Sequence, residues 1–193
     1  GGYCVSKEGT ILFKKAIDQR DIESVLTYAK SHPLSFSFMS EQEISIHDVT
    51  PEVAAMYGQL NLPVPKPVDF EHVDTSSVLQ TNIFLGPEDE AEFMKKVMPH
   101  SESSRWTSLF ADVNPVGQSK QVGIDIVCNH FNIPLEQTMA FGDGGNDITM
   151  LRHVGVGVAM GNANPEVKEI ADFITDDVDS DGIWNALKHF HII

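Results

Sequence analysis

The chain has 193 residues, enough for one large domain or two small ones, and its 41% hydrophobic and 21% charged content is that of an ordinary globular protein. Thirteen Lys and Arg against 28 Asp and Glu leave a net charge of -15, which argues against nucleic acid, whose affinity rests on cationic contacts to phosphate, and against anionic membranes. Two cysteines, Cys4 and Cys128, make neither a disulfide framework nor a CxxC zinc spacing, and no apolar run reaches spanning length, so a reducing, cytoplasmic setting is expected.

In chain order, "YCVSKEGTILF" reads as two short strands around a Lys-Glu-Gly turn. A helix is expected from about Asp18 to Lys30, with Ile22, Val25, Leu26 and Ala29 on one face. "PLSFSFM" alternates as a half-buried strand should, and "EISIH" is a second strand. Thr50-Pro51-Glu52 opens a helix, with Thr50 as its N-cap and Pro51 in the first position. "NLPVPKPVDF" has too many prolines for a central strand. "SVLQTNIFLG" is a strand, Pro87 to Val97 a helix, and "RWTSLFADV" a further strand opened by Arg105 and Trp106, to which a packing role is assigned.

After Asn114-Pro115 the pattern changes, and a boundary is placed near residue 114. Helices alternate with the brief apolar runs "TMAFGD", "VGVGVAMG" and "ADFIT", which implies a parallel sheet covered on both faces. About three strands are few against a usual sheet of about 5–6, so this unit is expected to be part of a larger sheet.

The most restrictive stretch is "MAFGDGGNDITML", Met139 to Leu151. Asp143 falls just past a strand, at the edge where open parallel sheets hold ligands. Gly142, Gly144 and Gly145 permit a tight backbone path, and Asp147 falls in the first turn of the next helix, where the dipole favours an anion. Two carboxylates in this setting suit Mg²⁺ with a substrate phosphate. A lone pair of aspartates four apart is more often a cap and a turn; the context GDGGND is narrower than that. Two other stretches imitate sites and fail. Asp177, Asp179, Asp181 and Gly182 match a calcium loop, but Lys188 stands where the closing glutamate belongs. "GVGVAMG" has Met160 where a dinucleotide fingerprint needs a small residue. "GNANPEV" reads as a turn, with Asn164 before Pro165 at a helix start. His189 and His191 show no metal spacing, and Met139, Met150 and Met160 are assigned to the core.

"VNPVGQSKQVGIDIV", "MAFGDGGNDITML", "VGVGVAMGNANPEVKEIADFIT" and "DDVDSDGIWNAL" follow one another over residues 113–187. In this order they resemble the haloacid dehalogenase superfamily of phosphatases, and within it the Cof-type, sugar-phosphatase-like branch. The likeness of the first part to that branch's cap rests on element order and on "NIFLGPEDEAEFMKKV". The resemblance implies an α/β fold: the C-terminal half of a Rossmann-like parallel-sheet core plus an α+β cap of the C2 type. Residues 1–12 would end the first core segment and enter the cap, 13–113 would be the cap, and 114–193 the second half of the core.

The resemblance also implies roles. Lys120 would hold the transferring phosphoryl group, Asn146 would contact the phosphate, Asp143 would bind Mg²⁺, and Asp147 would orient metal water or pair with the lysine. Lys120 and Asp147 are then the catalytic pair and Asp143 and Asp147 the metal pair, acting on a small phosphorylated metabolite. Phosphoryl transfer needs positioning and charge neutralisation above all, which a metal and one ammonium supply.

One departure bears on mechanism. The family's Asp-x-Asp-Gly-Thr motif, with its nucleophile and general acid, has no counterpart here, since Asp18, Asp21 and Asp48 lack that setting. "GGYCV" resembles the segment that closes the first core half, so at least one βαβ unit, on the order of 30 residues, is expected to precede this chain, and the chain alone is expected to be inactive. Two readings from other classes stand beside the enzyme. A non-catalytic binding protein derived from this fold would lack a DxDGT segment upstream in the reading frame. A nucleotide-binding module would bind dinucleotides without Mg²⁺.

Overall fold

Antiparallel pairing organises the first two-thirds of the chain and parallel pairing the remainder. The computed structural model describes residues 2–193; Gly1, the first residue of the expected 1–12 segment, lies outside the described residues. β1 (Tyr3–Val5) and β2 (Ile11–Lys14) form a two-stranded sheet. Gly9 turns the chain between them at φ +83, a left-handed conformation that costs glycine little. α1 (Gln19–Ala29) starts at Asp18, whose carboxylate accepts the Arg20 amide over 2.9 Å. β3 (Ser35–Met39) and β4 (Ile44–Ile46) follow, then α2 (Pro51–Gln59), capped by Thr50 with Pro51 in its first turn. β5 (Gln80–Phe84) leads to α3 (Pro87–Val97), whose three acids in the first turn and two lysines in the last complement the helix dipole. β6 (Ser101–Ser104) and β7 (Ala111–Pro115) complete a five-stranded sheet in the order β4-β3-β5-β7-β6, antiparallel throughout.

Period-two alternation decides what this sheet buries. Phe36 and Phe38 of β3, Ile83 of β5 and Ala111 and Val113 of β7 pack with Ile22 and Val25 of α1 and Phe93 and Val97 of α3. On the other face, at one end, Ile46, Phe84 and Phe110 pack with Val53, Met56 and Tyr57 of α2. Asp21 of α1 is 1% exposed and fully engaged. Its carboxylate accepts the His100 amide at 3.0 Å and the Ser101 hydroxyl at 2.7 Å, and lies 2.8 Å from His100 Nδ1. That clasp ties α1 to the turn before β6.

The segment "RWTSLFADV" differs from its expected form. Only its end is strand, and residues 105–110 form a loop between β6 and β7. Arg105 explains the loop. It is paired with Glu90 of α3, donates to the Leu85 carbonyl at 2.9 Å and to the Ser108 carbonyl at 3.3 Å, and so turns the chain back on itself. The polar stretch "SESS" forms the edge strand instead, where one side faces solvent and apolar alternation is not required.

The boundary expected near residue 114 falls inside β7, which pairs with both β5 and β6. The chain divides into two compact units between Gln118 and Ser119: Phe13–Gln118, with Gly2, and Tyr3–Leu12 joined to Ser119–Ile193. In the latter, α4 (Lys120–Phe131) starts at Ser119 and stops at Asn132 in the left-handed region. β8 (Met139–Gly142), α5 (Ile148–Leu151), β9 (Val156–Ala159), α6 (Pro165–Lys168), β10 (Phe173–Ile174) and α7 (Gly182–His189) alternate to the end. The three strands run parallel in the order β10-β9-β8, and Ala140, Leu151, Val154, Ala159, Met160 and Val167 form their core, with Ile124 of α4 against it. The fold is thus mixed α/β, a parallel sheet in one unit and an antiparallel sheet in the other. No helix among the described residues is long and apolar enough to cross a membrane.

Two substitutions test this packing. Asp21→Ala removes the buried carboxylate that joins α1 to the His100 amide and imidazole and the Ser101 hydroxyl, and is expected to cost about 2 kcal/mol in urea unfolding. Burial alone would raise the Glu90 pKa, but the Ser103 hydroxyl and the Arg105 guanidinium more than offset it and hold Glu90 below the usual glutamate value. The pair's contribution is therefore complete above about pH 4.3, the unfolded value, and is lost as pH falls through the lowered folded one. Glu90→Gln is expected to remove that component from the acid limb of stability against pH; an unchanged acid limb contradicts it.

Candidate functional site

β8 runs out at Gly142, and the loop that follows is built around one carboxylate. A Cβ on Gly142 would stand 2.6 Å from the Cβ of Asp147, so only glycine lets the strand end pass so close to the turn. Gly145–Asp147 form a single 3-10 turn that leads into α5. Asp147 is 4% exposed. Its Oδ2 accepts the Asp143 amide at 3.0 Å and the Gly144 amide at 3.2 Å, and its Oδ1 receives the ammonium of Lys120 from the start of α4. Burial alone would raise its pKa, but the lysine and the two amides outweigh that and hold it below the usual aspartate range.

The four residues singled out in the sequence lie in one unit. Lys120 and Asp147 form an ion pair, with half of the lysine side chain still open to solvent. Asp143 is exposed on the same loop. Its Oδ2 accepts a long, 3.4 Å bond from the Asn162 side-chain amide, and its carbonyl accepts the Asn164 amide at 3.0 Å. Asn146 is exposed on the loop, with its side-chain oxygen turned toward Gly144.

Asn162 was not singled out from the sequence. It supports the loop from a second turn, and its Oδ1 accepts the Val178 amide at 3.2 Å. The only signal for it was the asparagine-rich turn "GNANPEV". The stretch that imitates a calcium loop is a turn into α7, closed by Ser180 and Gly182 amides on the Asp177 carbonyl at 2.9 and 3.1 Å.

This arrangement holds an ammonium beside an exposed carboxylate at the C-terminal end of a parallel strand. The two carboxylates are not equivalent. Both oxygens of Asp147 are engaged, by a cation on one side and by backbone N–H groups on the other, whereas Asp143 carries one weak contact. Asp143 is thus the group with lone pairs open to a divalent cation. A Mg²⁺ site that takes one or two protein carboxylates, waters and a substrate phosphate fits this donor set.

Residues 1–187 match the family described as haloacid dehalogenase-like hydrolase. The putative phosphatase YkrA of Bacillus subtilis (strain 168) is 36% identical over 194 residues, which cover 100% of this chain and 74% of that protein. The solved structure of the HAD subclass IIB sugar phosphatase BT4131 superposes with a TM-score of 0.88 at 41% identity, covering 100% of this chain and 74% of that one. The phosphatase BT1666 of Bacteroides thetaiotaomicron superposes with a TM-score of 0.87 at 36% identity over 100% of this chain and 72% of that one. The chain belongs to the haloacid dehalogenase-like hydrolases.

Proposed function

We propose that this chain is part of a Mg²⁺-dependent phosphomonoester hydrolase that acts on a small phosphorylated metabolite, such as a sugar phosphate. The observation that carries the reading is the Lys120–Asp147 pair beside the exposed Asp143, at the end of β8. Likeness to a sugar phosphatase supports the substrate class, and two free cysteines fit a cytoplasmic setting.

In this reading Lys120 binds a phosphoryl oxygen and balances its charge. Asp147 holds the ammonium in place and, through the Asp143 and Gly144 amides, fixes the path of the loop. Asn146 contacts the phosphate. Asp143 would hold the metal, which supplies charge neutralisation to the phosphoryl oxygens when bound. The attacking carboxylate of an aspartyl-phosphate route is assigned to a residue outside these 193, because no aspartate of the chain has the Asp-x-Asp-Gly-Thr setting. Substrate choice is assigned to the Phe13–Gln118 unit.

Two measurements test the reading. The purified 193-residue chain is expected to leave p-nitrophenyl phosphate untouched with Mg²⁺ present; turnover that survives purification and disappears in Asp143→Ala would place the nucleophile inside the chain. In the complete product of the encoding reading frame, Lys120→Ala and Asp143→Asn are each expected to lower kcat by about 10²–10³, the usual cost of one electrostatic stabiliser, with the fold kept. Near-full activity in both variants sinks the site assignment.

A further inference from the structure

Beside α1 and α3, the Phe13–Gln118 unit holds a cavity of about 670 Å³, within the roughly 300–1,000 Å³ that small-molecule sites occupy. Leu34, Phe84 and Phe93, all buried, give it an apolar floor. The end of α1 and the turn after it contribute Tyr28 and His32, and α3 contributes Asp89, Glu92 and Lys96. These two helices pack on the face of the sheet that carries Phe36 and Ile83. The sheet's polar row, in which the Ser37 hydroxyl donates to Asn82 Oδ1 at 3.0 Å and Asn82 Nδ2 to Asp112 Oδ1 at 2.6 Å, projects from the opposite face. None of the lining residues belongs to the unit that carries Lys120 and Asp147.

His32 is held more firmly than an exposed side chain at a helix end requires. Its ring stacks on Tyr28, with centroids 4.0 Å apart at 7°, and Tyr28 meets the buried Phe93 edge-on at 5.5 Å and 88°. Its Nδ1 lies 3.2 Å from the Tyr28 carbonyl and 3.0 Å from the Ser31 hydroxyl. A carbonyl only accepts, so this network assigns the proton of the neutral ring to Nδ1. Pro33 follows and turns the His32 backbone away from the helix. Nε2 is then a bare acceptor on a ring fixed at the cavity, with no partner among the described residues.

The other vacant polar groups are acceptors too. The Asp89 carboxylate has no hydrogen-bond or ion-pair partner among the described residues, and Glu92 is engaged only by its pair with Lys96. Lys96 is the one cation among the described lining residues, and that pair neutralises it, so an anion finds no partner here. A metal ion does not suit the cavity either, since no group of three or more His, Cys, Asp or Glu among the described residues could hold one. An ammonium suits it: it offers three donors to these acceptors, aromatic faces attract it, and a net charge of -15 draws cations to the protein. The floor of Leu34, Phe84 and Phe93 suits an aromatic arm. We propose that this cavity is a ligand site for a primary amine, bound as its ammonium by His32 Nε2 and the Asp89 carboxylate with its aromatic arm on the apolar floor.

The test is a titration of the ¹³C,¹⁵N-labelled 193-residue chain with phenethylamine, and with 2-phenylethanol, 3-phenylpropionate and butylamine in parallel. It follows the ring C–H resonances of His32, with those of His130 on α4 as a reference. With phenethylamine, saturable shifts are expected at His32 and not at His130. The alcohol and the carboxylate are expected to bind at least about tenfold more weakly, since neither brings the charge that the acceptors pair with. Butylamine, which matches the lysine side chain of a protein partner, is also expected to bind more weakly, because it leaves the floor uncovered. Asp89→Asn, at an exposed position, is expected to weaken phenethylamine binding about tenfold. His32→Ala, read at the Tyr28 amide, is expected to do the same. Absence of a saturable shift at His32, an equal response at His130, equal affinity for any of the three other compounds, or unchanged affinity in either variant overturns the proposal. Amine binding is read without turnover, so the outcome is separate from the phosphatase reading, which fails instead if the complete protein does not turn over p-nitrophenyl phosphate.

Discussion

The Asp147 carboxylate is the interaction on which the parallel-sheet unit's candidate site depends. One oxygen takes two backbone amides of its own loop and the other takes the Lys120 ammonium. The first pair sets the path of residues 143–147; the second fixes the start of α4 against the end of β8. Desolvation opposes a buried charge, and only a cation together with two amides outweighs it here. The consequence is a division of labour between two aspartates four residues apart. The buried one is structural to the site, and the exposed one, Asp143, is left with open lone pairs. The like-charge problem of a D-x-x-x-D spacing is resolved by pairing one member internally.

That division reconciles a protein of net charge -15 with the anionic substrate proposed for it. Overall charge sets the far field, but in the function proposed above a phosphoryl group would meet Lys120 at close range, at a strand end, with the exposed Asp143 on the same loop. The ammonium is held and still half open. A fully exposed lysine would have to give up rotamer freedom on binding, and a fully buried one would be desolvated.

The antiparallel unit is governed by alternation. One face of its sheet supplies Phe36, Phe38, Ile83 and Val113 to a core with α1 and α3. The other is apolar only where α2 covers it, and along the row through Ser37 it turns polar. Buried polar groups on a sheet are informative because hydrophobic burial would have been the cheaper solution. The Asp21 clasp shows the other use of a buried acid. It is saturated by donors from one turn and joins two elements, with nothing left over for a ligand.

Much of this was legible in the sequence, wherever a feature is carried by neighbouring residues. Thr50-Pro51 and Pro87–Val97 announce helices α2 and α3 through capping and charge placement. "SFSFM" shows its alternation, and GDGGND shows a strand end, a tight turn and two acids within six residues. The identity of Gly142 follows from that turn, since the clash it avoids is with Asp147, five residues on. What only the tertiary structure decided was every relation between distant residues. "SESS" has no strand signal, yet it pairs along β7. Arg105 makes a loop because Glu90 on α3 is within reach. Asn162 meets Asp143 across 19 residues. Asn82 and Asp112 are unremarkable polar residues until register sets them side by side at the middle of a sheet. Local preference is written in dihedrals and spacing, which a sequence displays. Which carboxylate is neutralised, and which is left open, depends on what long-range packing brings to it.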